Sequence, residues 1–118
     1  MKLTVVIPAF NEIATLQDVV ARVRHHAGPD AEIIIVDDGS TDGTIEAIEA
    51  LATRGEVRAF YNTQNRGKGA AVRRGLAAAT GDIVLVQDAD LEYDPADYPA
   101  LLEPIVAGRA DVVYGSRF

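Results

Sequence analysis

Three runs of β-branched and apolar residues, separated by segments with helical spacing, constrain the fold of this chain more than any other feature. The runs cover residues 2–7, 31–36 and 82–86. Hydrophobicity that is continuous rather than alternating is typical of parallel strands covered on both faces. The pattern therefore predicts an α/β fold with a mainly parallel sheet and helices on both faces.

Weaker patterns complete this α/β order. Apolar residues at helical spacing predict helices, and shorter β-branched runs predict further strands. The helices are expected over residues 13–27, 44–51, 70–80 and 98–106, and the strands over residues 56–61 and 111–114. The chain stops directly after the last strand, so we expect residues 1–118 to be a single N-terminal part of a larger domain that is truncated at its C-terminus.

Charge and cysteine content exclude several functions. The chain has 18 acidic and 11 basic side chains and a net charge of -7, which opposes binding to nucleic acid. Without cysteine it has no disulfides, no thiolate zinc site and no cysteine nucleophile. It shows no leader pattern and no apolar run near the roughly 18 residues of a membrane span. We therefore expect a soluble, cytoplasmic chain without a nucleic-acid partner.

Carboxylates follow two of the predicted strands. Asp37 and Asp38 come after the second apolar run, and Asp88 and Asp90 come after the third. In open α/β sheets, ligands bind outside the carboxyl ends of the strands, so these acids should converge on one site. Oxygen ligands suit magnesium or manganese, and Glu92 adds a further oxygen. The alternative for the second cluster is a solvated turn.

Residues 38–49 also have the ligand spacing of an EF-hand calcium loop. That motif needs a helix entering the loop, whereas the preceding run predicts a strand. We interpret the two glycines here as turn formers and Asp42 or Thr41 as a helix cap. Asp38 is then an outward-facing ligand group.

The segment 65–69, Asn-Arg-Gly-Lys-Gly, is similar to a phosphate-binding loop that opens a helix. It lacks the third small residue of a dinucleotide fingerprint and the Ser or Thr that follows the lysine of a P-loop. Lys68 either meets a phosphate or sugar or is an ordinary surface residue. Arg117 follows the last predicted strand, where it either pairs with a diphosphate or is a disordered terminal residue.

Five motifs in order resemble family 2 glycosyltransferases. They are VVIPAFNE at 5–12, VDDGSTDGT at 36–44, NRGKG at 65–69, DAD at 88–90 and GSRF at 115–118. The first and last of them look most like the dolichyl-phosphate mannose synthase and polyprenyl-phosphate glycosyltransferase branch. The resemblance extends over the whole chain.

The resemblance implies a Rossmann-like, nucleotide-binding half of a glycosyltransferase A-type fold. It also implies transfer of a sugar, with inversion, from a GDP- or UDP-sugar to a polyprenyl or dolichyl phosphate, with Mg²⁺ or Mn²⁺ as cofactor. Membrane contact would be made only by parts outside this chain, as in a cytoplasmic protein that is peripheral at the membrane. A lipid-phosphate acceptor is already ionised near neutral pH, whereas a hydroxyl acceptor needs a general base that the motifs do not supply.

By position, the family's functional residues fall on both acidic clusters and on the loop after the first strand. Asp88 and Asp90 are the implied catalytic residues, and Asp90 and Glu92 the implied metal ligands. The nucleotide contacts implied by the resemblance are Pro8, Phe10, Glu12, Val36, Asp38, Asp88, Ala89, Asp90 and Arg117. The glycine-rich segment adds Lys68 as a further predicted contact.

Two other functions remain open from the sequence. One is a nucleotide-binding fragment without catalytic activity. The other is a receiver-type phosphoacceptor domain, which is also a parallel α/β fold with clustered aspartates. A receiver needs an acid pair after the first strand and a lysine after the fifth, and the chain has neither.

Overall fold

A computed structural model of the chain describes residues 2–89 and the backbone of residues 112–115. In these ranges five strands form one sheet in which every pairing is parallel. The strands are β1 (Leu3–Ala9), β2 (Glu32–Asp37), β3 (Arg58–Tyr61), β4 (Ile83–Gln87) and β5 (Val112–Gly115). The helix predicted over residues 98–106 lies outside the described residues.

Three helices cover the two faces of this sheet, as the sequence predicts. They are α1 (Leu16–Ala27), α2 (Thr44–Thr53) and α3 (Lys68–Ala78). Alternate residues of β1 point to opposite faces. Val5 and Ile7 join the core cluster that contains the apolar faces of α1 and α2, whereas Val6 joins the cluster beneath α3. No helix in the described ranges combines the length and apolarity needed to cross a membrane.

Several element boundaries differ from the predicted ones by one to three residues, and three of them are the end of β1 and the starts of α1 and α3. The strand β1 continues through Pro8, because its pairing with β4 ends at Val6 and the missing N–H of Pro8 therefore costs no ladder bond there. The helix α1 begins at Leu16 rather than Ile13, which is exposed. The helix α3 begins at Lys68 rather than residue 70, so the lysine of the glycine-rich segment lies in its first turn.

The strand order is β3-β2-β1-β4-β5. After β1 the chain adds β2 and β3 on one side, and α3 then carries it back across the sheet to β4 on the other side. In doubly wound folds the crevice where the order reverses is the usual ligand site, and here it lies outside the carboxyl ends of β1 and β4. A receiver domain has the order 2-1-3-4-5, so this topology excludes that alternative.

Candidate active site

A cleft of about 280 Å³ opens at this reversal point. Its walls come from the end of β1 and the loop after it, from the end of β4, and from the loop that leads into α3. The lining residues are Pro8, Ala9, Phe10, Glu12, Asp38, Asn65, Gly67, Lys68, Ala71, Asp88 and Ala89. Seven of the predicted nucleotide contacts are among them: Pro8, Phe10, Glu12, Asp38, Lys68, Asp88 and Ala89.

The remaining predicted site residues have different positions. The side chain of Val36 is fully buried in the cluster beneath α3, so only the backbone of Val36 is left for the predicted contact with the base or ribose, which stays a prediction. The burial of the Val36 side chain follows from strand alternation, because successive residues of β2 point to opposite faces of the sheet and both faces are covered by helices. Asp90, Glu92 and Arg117 lie outside the described residues.

Asp38 is buried at the floor of the cleft. The prediction of an outward-facing group is therefore wrong, since only 4% of Asp38 is exposed. Its Oδ1 accepts hydrogen bonds from the Asn62 side-chain amide at 3.0 Å and from the Arg66 backbone N–H at 2.9 Å, and its Oδ2 accepts one from the Gly67 backbone N–H at 2.8 Å. Burial raises the pKa of this carboxyl group, but the hydrogen bonds and the Arg66 charge outweigh burial and hold the pKa below its ordinary value.

These hydrogen bonds explain the similarity of segment 65–69 to a phosphate loop. Its backbone N–H groups do bind an anion, but the anion is the Asp38 carboxylate of the chain itself. Gly67 allows this geometry because it adopts a φ of 94°. The two loops also approach closely at Gly39, where a Cβ atom would lie 3.0 Å from the Asn65 backbone nitrogen. Asn65 and Gly67 line the cleft but were not among the predicted contacts. The glycine-rich motif that contains them was the sequence signal that could have identified them.

Asp37 has a local structural role instead. Its Oδ2 accepts hydrogen bonds from the backbone N–H groups of Gly39 and Ser40, at 3.0 and 2.9 Å. Its Oδ1 accepts one from the Ser40 hydroxyl at 2.5 Å. The side chain thus closes the turn that follows β2.

The calcium-loop spacing does not produce a calcium site. A strand enters the loop, and the Asp38 oxygens are bound by the segment before α3. Asp42 instead accepts from the Thr44 N–H at 3.0 Å and from the Thr44 hydroxyl, so its side chain binds the first residue of α2. The N-cap position itself is Gly43, which has no capping side chain, so the prediction of Asp42 or Thr41 as the helix cap is wrong. The Thr44 hydroxyl holds the pKa of Asp42 below its ordinary value.

The loop after β1 is fixed against the loop after β2. Asn11 has a positive φ of 52°, which asparagine tolerates better than most residues. Its backbone N–H donates to the Ser40 hydroxyl at 2.9 Å, and its side-chain oxygen accepts from the Thr41 N–H at 2.8 Å. Phe10 next to it is 43% exposed at the cleft wall, where a flat aromatic ring can contact a base.

A salt bridge crosses the cleft between α3 and the end of β4. Lys68 Nζ contacts Asp88 Oδ1; 47% of the lysine side chain is exposed, and 9% of the aspartate side chain. The backbone after Asp88 is held by the Thr15 hydroxyl, which donates to the Ala89 carbonyl at 2.6 Å. Among the described residues, the structure therefore places one cation, Lys68, and three carboxylates, Glu12, Asp38 and Asp88, around one cleft.

The predicted metal ligands cannot be placed, because Asp90 and Glu92 lie outside the described residues. Within residues 2–89, no group of three carboxylate or imidazole side chains could hold a metal ion. The described donor beside them, Asp88, is a carboxylate at the end of a buried strand, which suits a hard cation such as Mg²⁺ or Mn²⁺. The donor chemistry present here is compatible with such a cation.

Comparison with known proteins identifies the family. The family model described as glycosyl transferase family 2 matches residues 4–118. The chain belongs to glycosyltransferase family 2. It is 38% identical over 119 residues to a dolichol-phosphate mannosyltransferase of Pyrococcus furiosus, a match that covers 100% of this chain and 34% of that protein. This chain thus spans about a third of that relative, and the resemblance to the polyprenyl-phosphate branch of the family is confirmed.

Two solved structures share the fold. The mannosyltransferase PcManGT from Pyrobaculum calidifontis, in complex with GDP-Man and Mn²⁺, has a TM-score of 0.65 and 33% identity over 75% of this chain and 27% of that chain. Glucosyl-3-phosphoglycerate synthase from Mycobacterium tuberculosis, in complex with Mn²⁺, UDP and glucosyl-3-phosphoglycerate, has a TM-score of 0.69 and 34% identity over 88% of this chain and 39% of that chain. The predicted Rossmann-like, glycosyltransferase A-type fold is confirmed.

Proposed function

We propose that this chain is the donor-binding part of a glycosyltransferase that uses a nucleoside diphosphate sugar. The enzyme takes the sugar from a GDP- or UDP-linked donor and transfers it, with inversion, to a polyprenyl or dolichyl phosphate. The observation that carries the proposal is the cleft at the β1/β4 reversal point, which Asp38, Lys68 and Asp88 all line. The GDP-Man and UDP complexes of the two solved neighbours support the donor class.

Asp38 is suited to select the base of the donor. Because its pKa is lowered, it is ionised near neutral pH and can only accept hydrogen bonds. Guanine N1–H and uracil N3–H present a donor at the centre of their pairing edge, whereas adenine and cytosine present a ring nitrogen acceptor there. We therefore expect this site to favour GDP or UDP over ADP or CDP, since the wrong base leaves a buried carboxylate facing an acceptor.

Lys68 is placed to bind the diphosphate. In this structure its ammonium neutralises Asp88 across the cleft. A diphosphate that enters between α3 and the end of β4 offers Lys68 a stronger anionic partner, and Asp88 then becomes free for the ribose and diphosphate side of the donor. Arg117 is proposed to face the phosphates from the end of β5, on the basis of the family resemblance.

Asp90 and Glu92 are the proposed ligands of a divalent cation, which when bound supplies positive charge for the diphosphate leaving group. In the sequence, both residues follow the buried strand β4 within five positions of its end. A phosphate acceptor is already ionised near neutral pH, so the reaction needs little proton removal. We propose that the acceptor is bound by parts of the protein outside this chain, at the cytoplasmic side of a membrane.

Titration calorimetry tests the donor site. GDP, UDP, ADP and CDP are each titrated with and without Mn²⁺. We expect binding of GDP or UDP that strengthens with the metal and is at least tenfold tighter than binding of ADP or CDP. Absence of metal-dependent binding of both GDP and UDP would count against the proposal. Binding without transfer to a polyprenyl phosphate by the intact protein would instead favour the nucleotide-binding alternative.

A further inference from the structure

A hydrogen-bonded chain links the outer surface of α3 to the carboxylate at the floor of the cleft. Arg74 Nη1 donates to the Asn62 side-chain oxygen at 2.7 Å. The Asn62 side-chain nitrogen in turn donates to Asp38 Oδ1 at 3.0 Å. Asn62 is buried and lies directly after β3, so its amide is enclosed between these two charged partners.

The chemistry of the two partners fixes the orientation of the amide. Arginine has only donors, and an ionised carboxylate has only acceptors. The Asn62 oxygen must therefore face Arg74 and its NH₂ group must face Asp38. If Arg74 were absent, the amide oxygen would lose its cationic partner. The amide would then be held from the carboxylate side alone, and the arginine would no longer polarise its N–H bond towards Asp38.

Arg74 is itself held in a defined position. Its Nη1 also donates to the Tyr61 carbonyl at 2.7 Å, and its guanidinium carbon lies 5.4 Å from the centroid of the Phe60 ring. The next residue, Gly75, lets α3 approach the sheet closely, because a Cβ atom there would lie 2.4 Å from Val6 Cγ1. The helix therefore holds Arg74 at a fixed distance from the end of β3.

We propose that Arg74 is a positioning residue that, through the Asn62 amide, orients the Asp38 carboxylate for the base of the nucleotide. The inference deepens the proposed function and rests on it. Among the described residues, Asp38 Oδ1 accepts two hydrogen bonds and Oδ2 accepts one. A carboxylate has about four acceptor positions, so one on Oδ2 remains for an N–H of the base. Arg74 does not line the cleft and acts only through this chain of contacts.

The first test is nucleotide affinity. Arg74→Met should weaken binding of the preferred nucleotide, GDP or UDP, about tenfold, which is the value of one charge-assisted hydrogen bond. Arg74→Lys keeps a donor and should restore most of the affinity. The control is Arg22→Met, which removes the same charge from an exposed i,i+4 pair with Asp18 on α1. An equal loss in the Arg22 variant would overturn the proposal, because the effect would then reflect net charge.

A double-mutant cycle tests whether Arg74 acts through Asn62. Asn62→Leu should weaken binding by a similar factor, and adding Arg74→Met to it should cause no further loss. Losses that multiply would show that Arg74 has a separate effect, and they would overturn the proposed relay. Thermal unfolding of each variant shows whether it is folded at the temperature of the titration.

A readout without nucleotide separates this inference from the proposed function. An NMR titration of the Asp38 carboxyl carbon should show that its pKa rises in Arg74→Met and is unchanged in Arg22→Met, because an amide that Arg74 no longer holds and polarises donates more weakly to the carboxylate. The charge of Arg66 lowers the pKa of Asp38, and the charged groups Lys68, Asp88 and Glu12 line the same cleft; all four are intact in both variants. If the wild-type protein binds neither GDP nor UDP, the proposed function fails while this measurement still decides the link. An unchanged pKa in Arg74→Met overturns the inference, whether or not affinity falls.

Discussion

The two ends of the sheet each contain a carboxylate that accepts hydrogen bonds from several elements, one half-buried and one buried, and the two carboxylates use their acceptor positions differently. At the amino end, Glu32 Oε1 accepts from the Thr4 hydroxyl and the Thr80 N–H, both at 2.9 Å. Its Oε2 accepts from Arg58 at 2.9 Å and from the Thr80 hydroxyl at 3.0 Å. At the carboxyl end, Asp38 accepts three such bonds among the described residues and lines an open cleft.

This difference distinguishes the structural carboxylate Glu32 from Asp38, which we propose to bind the nucleotide. Burial raises the pKa of Glu32, but the hydrogen bonds from Thr80, Thr4 and Arg58 outweigh burial and lower it to about 2. The pKa of Asp38 is also lowered. A lowered pKa therefore does not identify the site, since both ends show it. An unused acceptor position next to a cleft does identify a candidate site. Of these two carboxylates, only Asp38 has one.

The largest expected effect separates catalysis at one end from stability at the other. We predict that Asp90→Asn lowers turnover of the intact enzyme by about 10²-fold or more, since it removes a ligand of the proposed charge-stabilising cation, and that it changes nucleoside binding little. Glu32→Gln removes the same charge at the amino end and should leave turnover per folded molecule unchanged. Steady-state kinetics on both variants measure the contrast, and full activity of Asp90→Asn would contradict the site.

A pair of glycines tests how closely packed the two ends are. Gly39 and Gly55 both have positive φ, 86° and 77°, but a Cβ atom on Gly39 would lie 3.0 Å from the Asn65 backbone nitrogen, whereas one on Gly55 would contact nothing within 4 Å. We predict that Gly39→Ala lowers the free energy of unfolding by about 3 kcal/mol and Gly55→Ala by about 1 kcal/mol. Urea unfolding measures both. Equal losses would show that the loops at the cleft do not constrain each other.

The saturated carboxylate gives a pH-dependent stability. The pKa of Glu32 is about 2 in the folded chain against an ordinary 4.5, so its contribution is complete above pH 4.5 and is lost as the pH falls towards 2. We predict that Glu32→Gln lowers the free energy of unfolding by about 2 kcal/mol at neutral pH. The difference from wild type should shrink between pH 4.5 and 2. A difference that is constant over this range would mean that Glu32 is not ionised in its network.

The smallest expected effect concerns the cation at each end. Lys68→Met should weaken UDP or GDP binding about tenfold but change uridine or guanosine binding little, because the lysine is proposed to bind the diphosphate. Lys2→Met is the matched control, since Lys2 donates to the Thr80 hydroxyl at 2.7 Å at the amino end. Calorimetry with the nucleoside diphosphate and with the nucleoside measures the effect of each variant on diphosphate binding separately from its effect on base and ribose binding. Equal weakening of nucleoside and diphosphate binding by Lys68→Met would place the lysine elsewhere in the site.

Much of the fold could be read from the sequence because hydrophobic patterns report burial locally. The apolar run before Asp37 predicts β2, and the run before Asp88 predicts β4; both strands form and both are parallel. Their carboxyl ends meet at one edge, as parallel pairing requires. The family resemblance followed from motifs in chain order, which also need no tertiary information.

The sequence by itself therefore determined the fold class, the family and the cluster of acids at one edge of the sheet. Only the tertiary structure decided what each side chain does there. In the tertiary structure Val36 packs in the core. The backbone N–H groups of Arg66 and Gly67 donate to Asp38, which lies 28 and 29 positions before them in the sequence. The physical reason is that periodicity records which face of an element is buried, whereas hydrogen-bond partners distant in sequence are set by how the elements pack.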